Sequence, residues 1–181
     1  MWDPPAGHPL RRMFAGLTEH AFLSNLGVAD PPLIDYLSGL LTRFVHTDCV
    51  FRLRDGAGHA LTELAVMAAE AEKLPADGRT RREYHRHVGD FALFWSGLFP
   101  EAVNRIQHGP CKDHVVGFTA LGKRSYGIAG GFERHPFEDE APVLRRLGEQ
   151  FELCAYGLRE VRREWEEMAA HPPAGGGLIG T

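Results

Sequence analysis

The sequence predicts an all-α fold: a single-domain helical bundle of five or six helices with a long C-terminal heptad helix. Three observations carry that expectation. Apolar residues recur at three- and four-residue steps along most of the chain, and strict alternation is rare. Helix-starting and helix-stopping residues bracket those runs. The last run repeats without a break from Leu144 to Met168, in steps of three and four. At 181 residues the chain fits one domain. We expect a flexible arm over 1–7, the all-α domain over 8–168 and a disordered tail over 169–181.

In the first helix Leu10, Met13, Phe14, Leu17 and Ala21 share a face, and Gly27 is a natural stop. Asp30 and Pro31 then give the best-marked helix start in the chain. An aspartate can cap, and a proline at the first position loses no hydrogen bond. The apolar stripe behind them runs from Leu33 to Val45. Residues 48–54 read equally as a short extended piece or as more helix. Leu61, Leu64, Ala65, Ala68 and Ala71 mark a third helix that ends before Pro75.

The fourth helix occupies the stretch 80–99. Tyr84, Val88, Phe91, Trp95 and Leu98 form its buried stripe, and Gly89, Leu93, Ser96 and Gly97 a second, small face. A helix apolar or small on two faces is central, with neighbours on most sides. The glycine-rich segment 114–132 is its natural neighbour, and is helical only if packing repays its glycines. The final helix is expected over 142–168. At ~40 Å it would overhang shorter neighbours, leaving Trp165 and Met168 to be covered within the chain or by a second copy.

Composition limits function. The fractions of apolar (44%) and charged (24%) residues suit an ordinary soluble domain. A net charge of −4 gives no bulk attraction for nucleic acid. No run approaches the ~20 apolar residues of a membrane span, and the first residues, MWDPPAGHPLRRMF, hold no apolar core of signal-peptide length. Cys49, Cys111 and Cys154 are far apart and odd in number, as expected of reduced thiols in a cytoplasmic protein.

Candidate chemistry centres on the head of the fourth helix. Glu83, His87 and Asp90 fall in one column at spacings of four and three. Such a column can ligate a metal with help from another helix. It can also make an acid–base group, with Tyr84, His87 and Asp90 as the catalytic candidates and a carboxylate orienting the imidazole. A solvated column paired with nearby arginines is the plainer reading. His20 sits beside the apolar side of the first helix, either as a ligand or as a packed histidine. Arg79, Arg81, Arg82 and Arg86 could hold a phosphate or an acidic partner, or line a solvated face. A further reading is a small-ligand pocket under the glycine-rich segment, with Lys123 and Tyr126 at its mouth. No HExxH, P-loop, GxGxxG or GxSxG pattern occurs.

The heptapeptide YHRHVGD, Tyr84 to Asp90, resembles the distal-helix signature of haem oxygenases, Tyr-x-Arg-x-Leu-Gly-Asp. That resemblance implies a haem pocket in which Gly89 lets the helix pass close to the haem, Asp90 holds a water network, and His20 is the proximal ligand. The sequence departs from the family at Leu93-Phe94, where a Gly-Gly pair belongs, and in the short interval from His20 to Gly89. Two functions are therefore expected. The first is a cytoplasmic binding protein acting through a homodimer or partner surface, with the 142–168 helix as the interface. The alternative is a haem- or metal-dependent enzyme with a pocket beside the helix 80–99.

Overall fold

The computed structural model describes residues 5, 7–54, 57–60, 62–107 and 117–171, with backbone alone at 105–107. The described chain is all-helical and holds nine α-helices rather than five or six. Its one β feature is an isolated antiparallel bridge between Arg54 and Ala60. Most of the expected tail lies outside the described residues, as do Cys111, most of the arm and the start of the glycine-rich segment.

Helix α1 spans Pro9–Glu19 and runs on as a π-helical turn over His20–Asn25. Gly27 ends it with φ +66°, a conformation costly for any residue with a Cβ. Helix α2 (Pro31–Phe44) starts as its sequence dictates: the Asp30 carboxylate accepts from the Leu33 amide at 3.2 Å. The ambiguous stretch after it resolves into a short helix α3 (Thr47–Val50) followed by irregular chain. Helix α4 covers Leu64–Glu72.

Helix α5 (Arg79–Leu98) is the central rod, packed against α2, α4 and helices α7 (Phe118–Gly130) and α9 (Phe151–Ala170). Val88, Phe91, Ala92, Leu93 and Leu98 are buried, so both faces read from the sequence are used. Pro100 does not extend α5; it opens a separate helix α6 (Pro100–Gln107). The smooth face of α5 meets α7 at its Gly89 end, as expected, while at Gly97 it packs on Leu158 and Ala155 of α9. The Tyr126 ring lies where a Cβ on Gly89 would be, 2.7 Å from its nearest ring atom, and a Cβ on Gly122 would strike Phe151 and Ala92. The glycines of α7 and α5 thus permit a backbone approach that ordinary side chains would block.

The long heptad helix expected over 142–168 is two helices, α8 (Ala141–Glu149) and α9. The chain turns at Gln150, with φ −107° and ψ 29°. The seam nevertheless survives, for Leu144, Leu147, Phe151, Cys154, Leu158 and Val161 are all buried. The heptad pattern records which side is buried, not whether the axis is straight. Gly148 lets α8 press on α7, close to the Lys123 carbonyl and Tyr126, and the turn then carries α9 along α5. Helix α9 continues through Ala170, into what was expected to be tail.

Candidate functional site

Asp90 sits in the fourth turn of α5, deep in the core, and its charge organises the surrounding helices. From α2, the Tyr36 hydroxyl donates to Oδ1 at 2.7 Å, and Arg43 reaches Oδ2 at 3.4 Å. From α7, the Tyr126 hydroxyl donates to the same Oδ1 at 2.9 Å. Burial alone would raise the carboxyl pKa. Arg43, Arg86 and the Tyr36 hydroxyl outweigh it and hold Asp90 below its ordinary value. The tyrosines shift the other way, pushed up first by burial and then by Asp90, so each keeps the proton it donates.

Arg86 extends the network outward. Its Nε lies 3.2 Å from the Tyr36 hydroxyl, and it also faces Glu83 at 3.4 Å and Glu140 at 3.2 Å. Arg82 is 1% exposed; it pairs with Glu83 at 2.5 Å and with Glu140, under a Phe137 ring centred 3.9 Å from its guanidinium carbon. Glu83 is therefore committed to arginines on its own helix.

His87 is equally committed. The Val50 carbonyl, 2.9 Å away, can only accept, so Nε2 carries the proton. Nδ1 then accepts from Arg52 Nε at 3.0 Å. Burial and the neighbouring Arg52 push the imidazole pKa down to about 4, so the ring is neutral near pH 7. Both ring nitrogens are in use, and neither faces a carboxylate. The expected acid–base pair between His87 and Asp90 is not formed.

These residues do not converge on a shared point. Among the described residues no group of three or more His, Cys, Asp and Glu side chains is placed to hold a metal ion. Glu83 turns to arginines, His87 to Arg52 and Val50, and Asp90 to two tyrosines and Arg43. The crevice between them, lined by Arg43, Cys49, Arg52, Arg86, His87 and Asp90, offers about 10 Å³ to a water centre, room for about one water molecule. Tyr84 stands apart, its hydroxyl donating to the Arg54 carbonyl at 3.1 Å.

The haem arrangement does not form either. His20 is 60% exposed and binds Glu164 of α9 at 2.9 Å. It is not a member of the Asp90 cluster. The gap over Gly89 is filled by the Tyr126 ring rather than left for a flat ligand. Tyr126 is wholly buried on Asp90, and Lys123 is bound to Glu152 at 2.9 Å, so the two do not form the mouth of a pocket.

No known protein family, curated protein or solved structure matches the chain. The functional reading therefore stands on the geometry of this molecule.

Sequence reasoning missed Tyr36, Arg43 and Arg52 as members of the cluster. One signal was present. An aspartate in the middle of an apolar helix needs a donor, and Tyr36 and Arg43 lie seven residues apart on one side of α2. The basic residues on α5 divide: Arg81 binds Glu72 at 2.5 Å, Arg82 and Arg86 serve the network, and Arg79 lies over the Phe137 ring, 5.7 Å from its guanidinium carbon.

Among the described residues two further surfaces stand out, one remote from the cluster and one bordering it at Arg52 and Glu83. One is an apolar groove of about 350 Å³ where the ends of α5 and α9 meet, lined by Leu98, Phe99, Trp165 and Ala169 with Arg162 and Glu166 at its edge. The other is an arginine-lined cleft at the start of α5. Among the described residues no helix is long and apolar enough to cross a membrane.

Proposed function

We propose that the protein is a cytoplasmic helical binding protein that acts as a homodimer, paired through the end of α9. One observation carries this reading. Trp165 lies on the side of α9 that upstream buries Cys154, Leu158 and Val161, yet it is 43% exposed and borders the apolar groove. Its ring touches Phe14 edge-on, with centroids 5.6 Å apart, and the core stops there. Met168, one turn further, is exposed. An apolar seam that outruns its own core is suited to a partner of the same kind.

Charge supports a second copy as that partner. Arg162 and Arg163 precede Glu166 and Glu167 along α9, while Glu164 is held within the chain by His20 and Asn25. Two such helices lying antiparallel set each basic end beside the other's acidic end. In the single chain these charges are occupied by local pairs, Arg162–Glu166 at 2.7 Å and Arg163–Glu160 at 2.6 Å. Glu160 is mostly buried, but Glu166 and Glu167 are exposed, and pairs made by such carboxylates are worth well under about 1 kcal/mol and exchange readily. The affinity comes from burying Trp165 and Met168, and the charges fix direction.

Light scattering tests the reading. The intact protein should show twice the 20.1 kDa mass of the chain. Ala169→Arg, which fills the groove without touching the core, should return the single-chain mass. A wild-type protein of single-chain mass at every concentration overturns the homodimer.

A further inference from the structure

At the opposite end of α5 lies an open cleft of about 360 Å³ between the irregular chain after α3 and the first turns of the helix. Arg52, Arg54 and Arg79 line it, with Thr80, Tyr84 and Leu53 between them. Among the described residues of the lining Glu83 is the one carboxylate, and its charge is spent on Arg82 at 2.5 Å and Arg86 at 3.4 Å, leaving Arg52 at a distant 3.9 Å. Neither Arg54 nor Arg79 has a carboxylate partner among the described residues, although the chain as a whole is acidic.

The helix start deepens this imbalance. The first turn of α5 carries Arg79, Arg81 and Arg82 and no acidic residue, and Gly78 supplies no side-chain cap. Cations at the positive end of a helix dipole are unfavourable unless an anion answers them. Arg81 has Glu72, and Arg82 has Glu83 and Glu140. Among the described residues Arg79 has no such answer.

Arg52 is also held ready. Its Nε is fixed on His87 and one terminal nitrogen on the Glu83 carbonyl at 3.2 Å, so its guanidinium needs little ordering to receive a ligand. We propose that this cleft binds a phosphorylated small molecule, its phosphate gripped by Arg54 and Arg79 with Arg52 behind. Guanidinium forks match the oxygens of a phosphate. Thr80 adds a hydroxyl, and Tyr84 and Leu53 form a wall for the organic part, for which the cleft has room beyond a bare phosphate. The site is separate from the α9 surface and stands whether or not the protein dimerises.

Calorimetric titration of the full chain with ribose 5-phosphate, ribose and citrate tests the proposal. Ribose 5-phosphate should bind, with an affinity that falls steeply as salt is added, and ribose should not. Arg54→Gln and Arg79→Gln should each weaken binding roughly tenfold or more. Arg124→Gln, which removes an exposed charge on α7 away from the cleft, should keep wild-type affinity. Circular dichroism of each variant confirms that its fold is kept. Absence of ribose 5-phosphate binding overturns the site. So does an equal loss in Arg124→Gln, which would mark bulk attraction, and so does binding of citrate alone, which would mark a carboxylate ligand.

Discussion

Tyr126 reaches Asp90 by lying across Gly89: its ring fills the place of the missing Cβ, and its hydroxyl donates to Oδ1 at 2.9 Å. A glycine and an aspartate adjacent in sequence are thus served by one residue of α7. This contact explains why α5 and α7 pack so closely, and why the Gly-Asp pair holds the core together here.

Gly89→Ala should therefore destabilise the protein although alanine is the better helix former. The added methyl meets the Tyr126 ring at 2.7 Å, and overpacking of this kind costs about 1–3 kcal/mol. Urea denaturation reads the difference. A variant more stable than wild type would show that the ring is not seated there.

Asp90→Asn should be the more damaging change. It leaves Arg43 and Arg86 facing a neutral amide in the core, a loss of about 3–5 kcal/mol. Tyr126→Phe removes one hydrogen bond to a charged group and should cost about 1.5–3 kcal/mol. Wild-type stability in Asp90→Asn would mean that the buried charge is not what joins α2, α5 and α7.

Acid should weaken the fold in two stages. The His87 imidazole is lowered from 6.5 to about 4 in the folded protein, so the unfolded chain takes up its proton first. Its contribution, about 3 kcal/mol, is whole above about pH 6.5 and is lost as pH falls toward 4. Asp90, also lowered, contributes above its unfolded value of 3.8, and that part goes as pH falls through its folded pKa. Unfolding free energies measured from pH 7 to 3 should show both stages, and His87→Asn should flatten the first. His85, likewise lowered to about 4, keeps part of the slope. An unchanged slope in His87→Asn contradicts the buried, neutral imidazole.

The parts of the fold that were legible are those with local causes. Asp30-Pro31 starts α2, Gly27 ends the π turn, and the two faces of α5 follow from spacing. The turn at Gln150 was hidden because a heptad pattern is blind to a change of axis that keeps the same side buried. The candidate site shows a different limit. A helical wheel placed Glu83, His87 and Asp90 in one column but projects away depth along the axis. Glu83 lies near the mouth of α5, while His87 and Asp90 lie one and two turns further in and are buried. Their partners come from Tyr36, Arg43, Arg52 and Tyr126, far away in sequence, and nothing local to α5 names them. Trp165 shows the pattern working beyond the core: the heptad spacing marks it as buried, and the single chain leaves it half exposed.

Concentration-dependent hydrogen exchange tests the homodimer most directly, because it locates the interface as well as detecting it. Diluting the protein should speed exchange at the end of α9, around Trp165 and Met168, and at Leu98 and Phe99 across the groove, while the centre of α5 stays protected. Equal exchange of these segments at high and low concentration would contradict a second copy seated on that groove.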